Sequence, residues 1–310
     1  MSESRKCDGV LLVGFGGPTR AQEIRPFLDC ILRGRPIPRD RYEDVVRHYE
    51  HLGGGSPYNE LTLRQADALR AELSRGGIDL PVAVGMRNWA PYIEDALADL
   101  ARRGARRLLA FIMAAHRSEA SFERYQAAVA AAAEKLGSAA PEIVYAEPWF
   151  AHPKFIAATA ARAADSLARL DSAERSHASL LFTAHSIPVA MAAASPYVEE
   201  LTESARLVAA QLGFDNWTLA FQSRSGSPRD PWLEPDIGAA LRKLARGAVA
   251  VVAPIGFLCD HVEVLYDLDV EAAAIARQGG IRMERAATVS DHPEFIAMMA
   301  EIVRRHALEG

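Results

Sequence analysis

The stretches Pro91-Tyr-Ile-Glu-Asp-Ala-Leu-Ala-Asp-Leu-Ala-Arg-Arg-Gly104 and Pro235-Asp-Ile-Gly-Ala-Ala-Leu-Arg-Lys-Leu-Ala-Arg-Gly247 decide the fold, because they show one unit written twice. Each is an amphipathic helical pattern followed at once by an apolar strand, Leu108–Ile112 or Val249–Ala253, and each strand is followed by a histidine, His116 or His261. A second echo links Leu11-Leu-Val-Gly-Phe-Gly-Gly-Pro18 with Leu181-Phe-Thr-Ala-His-Ser-Ile-Pro188: a buried strand, a sharp turn, then proline. Duplication of an ancestral lobe explains both echoes; chance likeness between two βαβ units is the alternative.

Working outward, β-rich apolar runs predict further strands at Val10–Gly14, Val82–Val84, Ile143–Ala146, Leu180–Thr183, Thr218–Phe221 and Ile281–Glu284. Several are apolar throughout, as in strands buried on both faces of a parallel sheet. Helical patterns at Leu63–Ser74, Ile93–Arg103, Tyr125–Leu136, Lys154–Leu170, Val198–Leu212 and Ile237–Ala245 lie between the strands. The alternation predicts an α/β protein with right-handed crossovers and two Rossmann-like, doubly wound parallel-sheet lobes, with a cleft between them. The split falls near Pro148–Pro153, giving lobes of residues 1–150 and 151–310, and the last helix, Pro293–Leu308, is expected to pack back on the first lobe.

At 310 residues the chain is too long for one ordinary core and suits two lobes. With 50% apolar and 24% charged residues it is globular in composition. Its net charge of −5 is spread over intermixed acids and bases, so no basic block invites nucleic acid. Cys7, Cys30 and Cys259 form no CxxC pair and no zinc or iron–sulfur spacing, and read as free thiols of a reducing cytosol. The N-terminal residues contain no apolar signal core. The longest apolar run, Ala248–Cys259, is interrupted by Pro254 and Gly256 and is far shorter than the roughly 20 residues of a bilayer span. A cytoplasmic monomer without a transmembrane segment is the expectation.

Ligands of open parallel sheets bind beyond the carboxyl ends of the strands, so the residues that end each strand are the candidates. After the first strand, Gly14-Phe-Gly-Gly-Pro18 is not a GxGxxG phosphate loop, since Thr19 stands where the third glycine would be. Its glycines either let a flat ligand approach the backbone or make a plain tight turn. After the third strand, Ala114-Ala-His116-Arg-Ser118 reads as cleft lining, compatible with a helix cap at Ser118. The fifth strand delivers His185, an imidazole that titrates near neutrality and can accept a proton or bind a metal; a lone histidine there is also a common structural residue. The seventh strand leads into Pro254-Ile-Gly-Phe-Leu-Cys-Asp-His-Val-Glu-Val-Leu-Tyr-Asp267, where Glu263, Asp267 and Glu271 recur at i, i+4 and i+8, one row of carboxylates on a helix. Such a row is ordinarily a solvated acidic face. Starting directly after a buried strand, it reads instead as a path or site for a divalent cation. Gly53-Gly-Gly-Ser56-Pro57 is not a GxSxG nucleophile elbow, and Arg33-Gly-Arg35 either grips ligand carboxylates or keeps a loop soluble.

Taken together, these segments resemble the ferrochelatase family. The matching pieces are Leu11–Pro18, Tyr49-Glu-His-Leu-Gly-Gly-Gly-Ser-Pro57, Val84-Gly-Met-Arg-Asn-Trp-Ala-Pro-Tyr-Ile-Glu-Asp-Ala-Leu97, Phe182-Thr-Ala-His-Ser-Ile-Pro188, Ala220-Phe-Gln-Ser-Arg224, Pro231-Trp-Leu-Glu-Pro235 and Pro254–Asp267, in order and over essentially the whole chain. The resemblance implies two Rossmann-like lobes around a porphyrin cleft, and an enzyme of haem biosynthesis that inserts ferrous iron into coproporphyrin III or protoporphyrin IX. It places the metal-site histidine at His185 and the essential glutamate at Glu263, with Asp267 and Glu271 as an outer cation site. Porphyrin contacts map to the regions of Phe15, Arg33, Tyr49, Ser56 and His116. Its partners are then the porphyrin and iron; iron is a substrate and no cofactor is implied. The chain has no C-terminal cysteine cluster for a [2Fe–2S] centre and resembles the short bacterial coproporphyrin type. One departure is Phe15: coproporphyrin-type relatives carry a tyrosine in this loop, and a phenyl ring has no oxygen to offer iron.

The mechanism so implied bends the macrocycle to expose its nitrogen lone pairs. His185 then accepts pyrrole protons or briefly ligates iron, Glu263 stands opposite it, and Asp267 and Glu271 lead to solvent. Imidazole and carboxylate do not select iron by raw affinity, so zinc or cobalt insertion is expected as well. The rivals are a cobalt or nickel chelatase of a related tetrapyrrole, against which Tyr49–Pro57 and Pro231–Pro235 argue, and a non-catalytic tetrapyrrole or metal carrier, which would need no proton acceptor paired with an acidic row. A metallohydrolase lacks a ligand triad of convincing spacing.

Overall fold

The computed structural model describes residues 6–34, 37–225 and 230–308; Arg35 of the Arg33-Gly-Arg35 loop lies outside the described residues. Among the described residues, eight strands form two four-stranded, all-parallel sheets. In the first, β1 (Gly9–Gly14), β2 (Val82–Met86), β3 (Arg107–Ile112) and β4 (Glu142–Tyr145) run in the order β2-β1-β3-β4. In the second, β5 (Ser179–His185), β6 (Trp217–Gln222), β7 (Val249–Ala253) and β8 (Arg282–Arg285) run in the order β6-β5-β7-β8. All eight predicted strands are present, with ends moved by a residue or two, and the two sheets share one topology.

The inner strands were legible because they have no wet face. Every residue of β1 and of β7 is buried, whereas the edge strands β4 and β8 are only partly covered. Helices at Ile24–Leu32, Arg39–His51, Ser172–His177 and Val189–Ala193 have no counterpart in the sequence reading. The helix Arg39–His51 buries only Val46 and Tyr49, an apolar stripe too sparse to register as a period.

The chain divides into two compact units. The first holds the described residues up to Met113, then Ala120–Glu147, then Phe295 onward; the second holds Ala114–Glu119 and Pro148–Glu294. Leu11, Leu12, Phe27, Leu69, Leu97 and Phe111 are fully buried in the first. The C-terminal helix Pro293–Leu308 meets the start of the chain, where the Cys7 amide donates to the His306 carbonyl at 2.9 Å, and His306 pairs with Glu147 at 3.0 Å. In the second unit Leu181, Val252, Val264, Leu268 and Ile281 share one apolar cluster. Its sheet order reverses between β5 and β7, and the carboxyl ends of such a strand pair flank a ligand crevice in open α/β sheets.

Candidate active site

That reversal sets the site. β5 ends on His185, and β7 leads through a short loop to Glu263 at the start of the helical segment Val262–Val264. The loop lies flush on β5: a Cβ at Gly256 would stand 2.5 Å from the Cβ of Ala184 and 2.7 Å from its Cα. His185 Nε2 is thereby placed 3.6 Å from Glu263 Oε1. On the other side of the ring, Nδ1 lies 2.6 Å from the Ser186 carbonyl oxygen. A carbonyl only accepts, so Nδ1 carries the proton and the neutral ring presents the Nε2 lone pair.

Backbone ties hold this pair in place. The buried Tyr197 donates its hydroxyl to the His185 carbonyl at 3.0 Å. Gln222, opposite His185 in the β5–β6 register, donates its amide to the Glu263 carbonyl at 2.9 Å. His261 Nδ1 accepts from the Glu263 amide at 3.2 Å, and burial keeps this imidazole below its ordinary pKa, as suits a neutral acceptor. Ser186, Tyr197 and Gln222 stand out by no local pattern, although Ser186 and Gln222 lie within the family-like segments Phe182–Pro188 and Ala220–Arg224.

Burial by itself would pull the His185 imidazole down, but the Glu263 carboxylate, the Ser186 carbonyl and Asp267 outweigh it and hold its pKa above the usual value. Asp267 shows the reverse balance for an acid. Burial lifts its carboxyl to about 7, with Glu263 and Glu271 adding to the rise and the Ser223 hydroxyl, which donates to it, working against it. A carboxyl titrating near neutrality, between Glu263 and the exposed Glu271, is suited to passing protons.

One expectation about the acidic row needs correction. The row does not ride on a plain α-helix: Leu265–Ala272 is a π-helix, followed by an α-helix at Ala273–Gly279. Among the described residues no three His, Cys, Asp or Glu side chains converge into a ready-made metal cage. The wider i→i+5 winding offsets residues four apart in the opposite sense to an α-helix, and Asp267 is drawn to Ser223.

In the first unit, Phe15 and Ser56 meet around the loop after β1, and Tyr49 joins them through Phe27. The Phe15 amide donates to the Tyr58 hydroxyl at 2.9 Å, and Phe27 packs edge-on against both Phe15 and Tyr49. Ser56 donates its amide to the Pro18 carbonyl at 2.8 Å. Gly16 (φ +87°) faces Met86 and Trp89, each 3.0 Å from where its Cβ would lie, so contacts within the protein are enough to require this glycine. Arg33 caps the helix Ile24–Leu32 and lines a groove of about 680 Å³ with Arg87, Arg124, Lys135 and the apolar Met86 and Ile93. His116 is placed otherwise than the cleft-lining expectation. It is 2% exposed in the second unit, its Nε2 lies 3.0 Å from the Ser204 hydroxyl, and burial pushes its pKa down to about 3, which makes it a neutral core residue.

Two parallel four-stranded sheets, one carrying a histidine–carboxylate pair at its reversal point, define an α/β protein of the chelatase fold class. Over 97% of this chain and 96% of the other, the fold matches SirB from Bacillus subtilis with Fe3+, at a TM-score of 0.61 and 13% identity. The cobalt complex of the sirohydrochlorin chelatase SirB from Bacillus subtilis subspecies spizizenii matches over 96% and 94% of the two chains (TM-score 0.58, 12% identity). Such identities speak for the fold alone. The ferrochelatase family model matches residues 7–307. A ferrochelatase of Rhodopirellula baltica is 41% identical over 307 residues, covering 98% of this chain and 87% of its own. A coproporphyrin III ferrochelatase of Mycolicibacterium smegmatis is 42% identical over 301 residues, covering 96% and 88%. The chain belongs to the ferrochelatase family, and its chemistry is that of the family, the insertion of iron into a porphyrin in haem biosynthesis.

Proposed function

We propose that the porphyrin is coproporphyrin III, and that His185 and Glu263 exchange its two pyrrole protons for Fe2+. The observation that carries the assignment is the His185 ring itself, pinned by Nδ1 to the Ser186 carbonyl with Nε2 turned toward Glu263. Nε2 accepts the two pyrrole protons in turn, and the imidazolium formed each time is stabilised by the carboxylate 3.6 Å away. The proton then leaves by Asp267, poised near 7, and Glu271 at the surface. Iron, a substrate, would be held by the Glu263 carboxylate, and by His185 Nε2 only while that nitrogen carries no proton; so few protein ligands release an ion that a closed four-ligand cage would retain.

Coproporphyrin III carries twice the propionates of protoporphyrin IX, and the groove of Arg33, Arg87, Arg124 and Lys135, with Glu94 as its one acid, suits a carboxylate-rich apolar ring. The coproporphyrin III ferrochelatases among the relatives, those of Mycolicibacterium smegmatis and Nocardia farcinica included, favour the same substrate. Phe15 leaves iron without an axial phenol from this loop. We place the enzyme in the cytosol, where the three free cysteines stay reduced, and take the single chain as the working unit, since His185, Glu263 and Asp267 come from one unit of it. No resident cofactor is proposed.

Anaerobic Fe2+ insertion into the two porphyrins side by side tests the substrate. Coproporphyrin III should be used with kcat/KM at least about tenfold higher. Equal values would remove the substrate assignment, and a His185→Ala protein with the wild-type rate would remove His185 from the mechanism.

A further inference from the structure

Arg285 ends β8, its side chain 16% exposed, and it grips the chain on both sides of Glu263. Nε and Nη2 donate to the two Asp269 oxygens at 2.7 and 2.9 Å, a fork-to-fork pair. Nη1 reaches Asp260 Oδ1 at 3.1 Å and the Ala286 carbonyl at 3.2 Å. Asp260 in turn accepts the Thr288 amide at 3.1 Å. Asp260 precedes Glu263 in the loop after β7, and Asp269 follows it inside the π-helix Leu265–Ala272. One guanidinium therefore spans the segment that carries Glu263 and Asp267.

π-Turns are rare and are found largely at functional sites, so a π-wound segment needs outside contacts to persist. Two such contacts meet this one at the site: Gln222 on the Glu263 carbonyl and Ser223 on the Asp267 carboxylate. Arg285 supplies the contact on the far side, from β8. If it let go, the segment could tighten to α-helical winding, which would turn Asp267 to a different bearing relative to Glu263. We infer that Arg285 is a positioning residue for metal insertion: by clamping Asp260 and Asp269 it holds the π-wound acidic segment so that Glu263 faces His185. The inference rests on the role proposed above for the His185–Glu263 pair.

Three substitutions in the full-length chain test it, each measured for kcat, porphyrin KM and Tm. Asp269→Asn weakens the fork and leaves the Asp260 contact; Arg285→Lys keeps the charge and loses the fork; Arg285→Met removes both. Asp269→Asn and Arg285→Lys should each lower kcat about tenfold with porphyrin KM changed by less than about twofold, and should add no further loss of kcat to Glu263→Gln. A lowered Tm with unchanged kcat would make Arg285 merely structural and overturn the inference, as would a kcat loss that persists in full beside Glu263→Gln. Should Arg285→Met fail to fold, the other two variants decide. If Glu263→Gln alone keeps the wild-type kcat, the role proposed for Glu263 fails and the clamp fails with it. A failure confined to the Asp269 and Arg285 variants leaves the proposed function standing.

Discussion

Glu263 acts on His185 by position and by charge: it lies 3.6 Å from Nε2, and it is the main force holding the imidazole pKa up against burial. A raised histidine keeps its proton to higher pH, and only the neutral ring can take a pyrrole proton. The kcat–pH profile should therefore fall on its acid side at a pH above the ordinary histidine value of about 6.5. Glu263→Gln leaves burial opposed only by the Ser186 carbonyl and Asp267, so that limb should move to lower pH while kcat drops about a hundredfold; a limb that stays in place would show that another group titrates. Asp267 follows the opposite sign. Its folded pKa of about 7 lies above the usual carboxylate range, so the cost of its charge sets in as pH rises from about 4 to about 7 and is constant beyond. Asp267→Asn should stabilise the protein at pH 8 more than at pH 5, by on the order of 1–2 kcal/mol after allowance for solvent screening, as read from thermal melts at the two pH values. His185 could be picked out in the sequence because it ends a buried strand, and Glu263 because it opens a row of carboxylates at i, i+4 and i+8. Ser186, Tyr197 and Gln222 could not, since each works through a backbone carbonyl whose partner depends on packing.

Among the elements, the loop after β7 depends on one missing side chain. Gly256 does not adopt a positive φ, so alanine costs it nothing in backbone conformation, yet an added Cβ would meet Ala184 at 2.5 Å. Gly256→Ala should destabilise the protein by about 1–3 kcal/mol in chemical denaturation and lower kcat, because the loop can yield only by moving away from the strand end that carries His185. The spacing of Glu263, Asp267 and Glu271 was plain in the sequence, but their winding was not. A four-residue period fits α- and π-helices nearly alike, and tertiary bonds from Ser223 and Arg285 choose between them. His116 shows the same limit from the other side. A histidine after a strand reads as a site residue whether it meets solvent or, as here, Ser204 and Phe155.

For the molecule as a whole, the first unit is built from separated pieces of chain. The helix Pro293–Leu308 buries Phe295, Ile296, Met298, Met299, Ile302 and Val303, and its residues from Phe295 onward belong with the N-terminal sheet. At roughly 1.5–3 kcal/mol for each large apolar side chain, its removal should cost about 10 kcal/mol, comparable to the entire stability of a typical domain. A fragment of residues 1–150 should therefore show no cooperative unfolding transition by circular dichroism, and joining residues 293–308 to its N-terminus by a flexible linker should restore one. The amino-acid order by itself determined the two parallel sheets and the residues that end their strands, because burial on both faces and the strand–helix alternation are local patterns that periodicity exposes. Only the tertiary structure decided which strand ends meet and that the acidic segment winds as a π-helix. Those outcomes depend on contacts between residues far apart in the chain, and no local pattern records them.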